Sequence, residues 1–200
     1  MLDPAGARSL ARYKSWADDL TLRAVAALSP GEAERERPTL FKSILGTLNH
    51  SYVVDLIWQA HLEGREHGFT ARNVMPHPEL EALTAAQRHV NGWLAAFSDA
   101  QSAASLYEAV SFQLVSGEQG TMTRGEIVLH IVNHATYHRG FVSDLFYQVP
   151  AKPPTTDWNV FLSEWRHPGG VSGRRDPVIR CRGAPTTERK SCNQALRLAP

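Results

Sequence analysis

Three histidines recur at four-residue intervals in the segment His130-Ile-Val-Asn-His134-Ala-Thr-Tyr-His138. Side chains four residues apart on a helix are neighbours, with Cβ atoms about 5–6 Å apart. This separation suits two imidazole nitrogens on one metal ion, whose metal–nitrogen bonds are about 2.0–2.1 Å long. His130 and His138 are about 12 Å apart along a helix axis, so one ion does not bridge both. We therefore predict a metal site around His134 and His138, with His130 lining the pocket or supporting the ligands.

A third metal ligand has to come from another helix, and His50 is the best candidate. At about 100° per residue, His134 and His138 both fall within the apolar stripe of their helix. His50 lies on a flank that it shares with Val53 and Val54, so its side chain is expected to be at least partly buried. The sequence therefore predicts that two distant segments meet and hold one metal through His50, His134 and His138.

Spacing alone leaves two interpretations of these histidines open. Each could be a core histidine that is hydrogen-bonded to a carbonyl or carboxylate oxygen. Alternatively, three histidines without a thiolate would form a catalytic metal site, because they leave coordination positions open for water or substrate. Imidazole suits Zn, Ni, Fe or Cu, so the ligand type does not select the metal.

Other polar residues near these motifs are predicted to have structural roles. Asp55 projects about 140° away from His50 on a helix, and an ion pair with an arginine of another helix, such as Arg139, is predicted for it. Asn133 and Tyr137 are candidates for hydrogen bonds near the metal or for helix–helix packing. The remaining histidines are expected at the surface: His61, His67, His77, His89 and His167.

Apolar residues recur at steps of three and four in four long segments, which predicts an all-α fold built as a four-helix bundle. Asp3 and Thr39 are the predicted N-caps of the first two helices, and Thr123 opens a capping box for the fourth. A small hairpin is expected within residues 98–122, and a short last helix after Asp157. The long helices are expected at about residues 4–28, 40–63, 79–97 and 124–148.

Composition divides the chain into one domain, residues 1–166, and a tail, residues 167–200. The tail holds seven basic and two acidic residues and has no apolar periodicity, so it is predicted to be disordered. Both cysteines, Cys181 and Cys192, lie in the tail, and no disulfide framework is expected in the domain. The domain has 14 basic and 18 acidic residues. This mild acidity argues against a broad nucleic-acid-binding face.

The sequence carries no signal for a membrane or an exported protein. Uninterrupted apolar runs are far shorter than the roughly 18 residues of a transmembrane helix, so no membrane span is expected. The N-terminal residues Met1-Leu-Asp-Pro-Ala-Gly-Ala-Arg8 lack the apolar core of a secretory signal. A cytoplasmic location is therefore expected.

The two histidine segments resemble the motifs of the DinB family, the DinB/YfiT-like metalloenzymes. In this chain the motifs are Leu48-Asn-His50 with Asp55-Leu-Ile-Trp58, and His130-Ile-Val-Asn-His134 with His138-Arg-Gly140. The resemblance covers roughly residues 8–166 and includes the turn Pro153-Pro-Thr-Thr-Asp157. It implies a four-helix bundle that is often dimeric and that holds a divalent metal through three histidines.

The resemblance also assigns individual residues. Carried over position by position, it implies that His50, His134 and His138 are the metal ligands and that His130 is not. One position departs from the family pattern. Members often have glutamine after the His-Arg-Gly sequence, whereas this chain has Phe141, which implies that a polar group is missing from the pocket.

The function implied by the resemblance is that of a metal-dependent enzyme, a homodimer, acting on a small molecule. The wider superfamily includes thiol-dependent S-transferases and maleylpyruvate isomerases, in which a divalent metal (Zn, Ni or Fe) would lower the pKa of a low-molecular-weight thiol. Other members are described as hydrolases, where the metal would activate water. The alternative is a non-catalytic, dimeric, damage-inducible stress-response bundle with a structural metal. Neither interpretation identifies the substrate or the catalytic residues.

Overall fold

Helices dominate residues 2–166, the part of the chain that the computed structural model describes. The predicted basic tail, residues 167–200, and with it His167, lies outside the described residues. The elements, in chain order, are helices α1 (Pro4–Ala26), α2 (Ile44–Leu62), α3 (Leu80–Asp99) and α4 (Ala103–Leu106), strands β1 (Ala109–Gln113) and β2 (Gln119–Thr123), and helices α5 (Arg124–Phe146) and α6 (Trp158–Arg166).

Two of the predicted helix starts are confirmed, and one is wrong. The side chain of Asp3 accepts a hydrogen bond from the backbone of Gly6 at the start of α1, and Thr123 forms the predicted capping box at the start of α5. The second helix begins at Ile44 rather than near Thr39. Lys42 has a φ of 65°, outside the right-handed helical region, so the helix cannot extend back through it.

The expected hairpin is present as the antiparallel pair β1 and β2. Phe112 of β1 lies opposite Gly120 of β2, and a Cβ at that glycine would lie 2.5 Å from the Phe112 ring. Glycine is therefore needed here to let the ring lie across the second strand. The same ring packs edge-on against Trp58 of α2, with ring centroids 5.0 Å apart. The hairpin is thus fixed to the end of α2.

The four long helices pack against one another and place α2 beside α5. Helix α1 contacts α3 and α5, and α2 contacts α3 and α5. A core that includes Val54, Trp58, Leu94, Ile127 and Ile131 lies between them. Among residues 2–166, no helix has both the length and the apolar character to cross a bilayer. The contact of α2 with α5 is what brings the two histidine segments together.

A buried ionic network also joins the long helices. Lys14 of α1 is 1% exposed, and its ammonium group donates hydrogen bonds to Asp18 (2.8 Å) and Asp55 (2.6 Å) and to the Asn91 side chain (2.7 Å). The predicted pair of Asp55 with Arg139 is therefore wrong, because Lys14 is the cation that Asp55 contacts. Arg139 instead pairs with Asp18, at 2.8 Å.

Burial and charge act in opposite directions within this network. Burial alone would lower the pKa of Lys14, but the carboxylates of Asp18 and Asp55 outweigh it and raise that pKa. Burial would raise the pKa of Asp18, but Lys14 and Arg139 outweigh it and lower that pKa. For Asp55 burial prevails over Lys14, and its pKa is raised. Asp55 is thus the member of the network whose charged form is least stabilised.

Candidate metal centre

Three imidazole rings converge where α2 meets α5. One nitrogen from each of His50, His134 and His138 lies within 4.8 Å of the other two. His50 and His138 are buried and His134 is half-buried. The predicted convergence of the two segments is therefore confirmed, and the three side chains together could hold a metal ion.

The pair on α5 has the spacing of two ligands of one ion. The Nε2 atoms of His134 and His138 are 3.1 Å apart. Two nitrogens with metal bonds of about 2.0–2.1 Å at a tetrahedral angle lie about 3.3 Å apart. A hydrogen bond between two neutral imidazoles would have a similar length, so this distance fits both a metal site and a pair of core histidines.

The third ring, that of His50, is held in the tautomer that a metal ligand needs. Its Nδ1 lies 3.1 Å from the backbone carbonyl oxygen of Arg72. A carbonyl oxygen only accepts hydrogen bonds, so Nδ1 carries the proton and Nε2 keeps its lone pair. Metal-binding histidines typically donate the other ring N–H to a carbonyl or carboxylate in this way, which fixes the ring orientation. The donor set therefore fits a divalent transition metal.

All three imidazoles are neutral at pH 7. Burial, reinforced by His138 and His50, lowers the pKa of His134 to about 3. Burial, reinforced by His50, lowers the pKa of His138 to about 4. Burial also lowers the pKa of His50. Because a metal ligand must be unprotonated, the folded protein holds these histidines in the binding form without having to remove protons.

The depressed pKa values of His134 and His138 make the metal-free protein less stable in mild acid. Below the unfolded pKa of about 6.5, the unfolded chain takes up protons that the folded state excludes. This contribution to the free energy of unfolding is fully present above the unfolded pKa. It is lost progressively as the pH falls from the unfolded pKa toward the folded pKa values of His134 and His138. We expect a decrease of about 1–3 kcal/mol between pH 7 and 5, after allowance for solvent screening.

Urea denaturation of the metal-free protein at pH 7, 6 and 5 measures this decrease. A variant with asparagine at positions 134 and 138 serves as the control, because asparagine does not titrate in this range. The wild type is expected to lose more stability than this variant over the same pH steps. Parallel curves for the two proteins would show that these histidines are not held neutral by the fold.

Aromatic rings enclose the histidine cluster on several sides. The ring of Phe41 stacks on His50, with centroids 4.2 Å apart and planes 20° apart, and its edge meets His138 at 5.3 Å. Phe141 lies nearly parallel to His138, at 5.8 Å. Tyr137, which is 63% exposed, packs edge-on against both His138 and Phe141. The position where the family pattern favours glutamine thus contributes an apolar ring to the cluster.

His130 is not one of the three clustered histidines, but it lies next to them. Its half-buried ring has its centroid 5.9 Å from that of His134 and 4.8 Å from that of Trp58. His61, His67 and His77 were expected at the surface, but all three are half-buried, whereas His89 is exposed as expected. His61 packs against Trp58 and Phe112, because the hairpin covers the end of α2.

Two contacts of the cluster were missed by sequence reasoning. Phe41 was assigned to the second helix, whereas it lies in the turn before α2 and reaches back over His50. The Arg72 carbonyl has no side-chain signal at all, since any residue supplies a backbone oxygen. Both contacts come from loops whose paths a helical periodicity does not describe.

Comparison with known proteins shows which family the chain belongs to. The model of the DinB family matches residues 1–167. The chain belongs to the DinB family. A DinB relative, Protein DinB of Bacillus subtilis (strain 168), is 26% identical over 161 residues, which cover 76% of this chain and 91% of the relative. The DinB match includes both histidine segments, so the resemblance seen in the motifs is confirmed.

Proposed function

We propose that this DinB-family protein is a metal-dependent enzyme that acts on a small molecule through a site of three histidines, His50, His134 and His138, on a four-helix bundle. The observation that carries the proposal is the composition of the cluster. Within residues 2–166 it contains three neutral imidazoles and no fourth His, Cys, Asp or Glu. Metal sites with three protein ligands are typical of catalysis, because the remaining positions take water or substrate.

The side chains of the cluster have separable roles in this proposal. His134 and His138 present their Nε2 atoms from successive turns of one helix, and the Arg72 carbonyl orients His50 from another. The ring of Phe41 covers one face of His50 and keeps water from it. A divalent Zn, Ni or Fe ion, when bound, would lower the pKa of a thiol or of water and so supply a nucleophile at neutral pH.

Two reaction types follow from that chemistry, thiol transfer and hydrolysis. We propose thiol transfer first, because a divalent ion on three neutral imidazoles would keep its positive charge and so stabilise a bound thiolate. The test is to incubate the metal-loaded full chain with a low-molecular-weight thiol and 1-chloro-2,4-dinitrobenzene, and to follow loss of the free thiol. His138→Ala is the matched variant, since it removes one proposed ligand. Turnover by the wild type alone is the expected result.

A panel of ester and amide substrates, assayed without thiol, separates the two reaction types. If the wild type hydrolyses a substrate and His138→Ala does not, hydrolysis replaces thiol transfer as the proposed reaction. Absence of turnover in both assays, together with metal-dependent stability and a dimer in solution, would instead favour a non-catalytic stress-response bundle with a structural metal.

A further inference from the structure

A groove of about 450 Å³ opens beside the histidine cluster. Its walls come from the turn that precedes α2 and from the loop that precedes α3. The side chains of Leu40, Phe41, Val74 and Met75 give it an apolar lining. Leu40 is 72% exposed and Met75 is 48% exposed. Several large apolar side chains exposed together around one concavity are typical of a binding site rather than of ordinary surface.

The groove and the histidine cluster share one wall, the side chain of Phe41. Phe41 lines the groove, and the same ring stacks on His50 at 4.2 Å and meets His138 at 5.3 Å. The opposite wall is tied to the cluster as well. Asn73 lines the groove, and the carbonyl of the preceding residue, Arg72, orients His50. A molecule in the groove would therefore lie one ring away from the proposed metal ligands.

The shared wall is held in place by the backbone around it. A Cβ at Gly46 would lie 2.1 Å from the carbonyl oxygen of Phe41, so only glycine lets the turn approach α2 this closely. The backbone of Gly46 donates a hydrogen bond to Ser43 Oγ at 2.8 Å, and Lys42 adopts a φ of 65°. A residue other than glycine in the left-handed region costs energy and is often found at functional sites. The position of Phe41 is thus built into the fold.

The charges at the groove restrict what it can hold. Glu34 and Glu36 lie on its rim, and Lys42 approaches Glu36 only at 3.9 Å, with both side chains largely exposed. A carboxylate or phosphate in the groove would meet two acidic side chains and one solvated lysine. An uncharged apolar group would contact the apolar side chains and would leave the contact between Lys42 and Glu36 intact.

We infer that this groove binds an uncharged apolar part of the substrate, an alkyl chain or an aryl ring, while the reacting group lies at the three histidines. This inference rests on the proposed function, because it needs a metal at the cluster with an open position. Phe41, Val74 and Met75 are then the residues that select the substrate by its apolar part.

Alkyl hydroxamates of increasing length test the inference, with affinities measured by titration calorimetry on the Zn-loaded full chain. The hydroxamate head binds an open metal position, and a tail that is long enough to pass the Phe41 ring reaches the groove. A fully buried methylene is worth about fourfold in affinity and a half-buried one about twofold. Hexanohydroxamate is therefore expected to bind on the order of tenfold more tightly than acetohydroxamate.

Met75→Asp is expected to remove most of this gain. Leu129→Asp is the matched control, because Leu129 is similarly exposed, at 51%, but lies on α5 outside the groove lining. This control is expected to keep the full gain with chain length.

The two ways in which the experiment can fail are distinct. If the Zn-loaded wild type does not bind acetohydroxamate, the open metal position is wrong and the proposed function is overturned. If acetohydroxamate binds but hexanohydroxamate shows no gain, the groove does not hold an apolar group and only this inference is overturned. The same conclusion follows if Leu129→Asp reduces the gain as much as Met75→Asp does.

Discussion

If the proposed function is correct, the wild-type protein binds a transition metal, and His134→Ala is expected to lose most of it. The His134 ring adjoins both other rings, with its centroid 4.3 Å from that of His138 and 5.3 Å from that of His50. Loss of an outer hydrogen-bond partner alone typically costs about 10–100-fold in metal affinity, so loss of a ligand is expected to cost at least about 100-fold. Elemental analysis of protein purified without a metal-affinity tag measures the metal content.

His130→Ala is the matched control for this experiment. It makes the same chemical change one helical turn away, at a half-buried ring that does not belong to the cluster. The variant is expected to keep its metal. A wild-type content well below one equivalent, or equal losses in the two variants, would show that His134 is a core histidine rather than a ligand.

Replacing Lys14 by methionine is expected to lower the free energy of unfolding by about 3–5 kcal/mol at pH 7. Methionine keeps the length of the side chain but removes the ammonium group that contacts Asp18, Asp55 and Asn91. Asp18 retains Arg139 as a partner at 2.8 Å. Asp55 loses its cation while it remains 3% exposed, and a buried carboxylate without a countercharge is strongly destabilising. Urea denaturation at pH 7 measures the change.

An exposed ion pair provides the control. Arg88 contacts Asp19 at 2.6 Å with a side chain that is more than half exposed, so Arg88→Met is expected to change stability by less than about 1 kcal/mol. If Lys14→Met and Arg88→Met lower the free energy of unfolding by the same amount, burial does not determine how much the Lys14 network contributes to stability.

The decrease in unfolding free energy that Lys14→Met causes is also expected to become smaller in acid. Burial raises the pKa of Asp55 in the folded protein above its unfolded value, so the folded state binds a proton there more readily than the unfolded chain does. Protonated Asp55 needs no countercharge. The difference in unfolding free energy between wild type and Lys14→Met is therefore largest above the folded pKa of Asp55 and decreases as the pH falls through it.

The sequence by itself determined the local features of this protein. Helix starts at Asp3 and Thr123 follow from capping chemistry that acts within three residues, and the structure contains both. The pairing of His134 with His138 follows from helical geometry, which places residues four apart on the same face. His50 was identified from its apolar flank, and the match of the DinB family to residues 1–167 agrees with the motif in which it lies.

Only the tertiary structure decided which residues from different elements meet. In the sequence, Lys14 and Asp18 are an ordinary charged pair four residues apart on a helix. No local feature of the sequence indicates that Asp55 of α2 completes the network. Phe41 covers His50 because the chain turns at Lys42. The apolar periodicity predicted that this segment belongs to the second helix, which is wrong. Periodicity reports which face of a helix is buried, whereas the partner of each buried group depends on the rotation of neighbouring helices and on the paths of the loops between them.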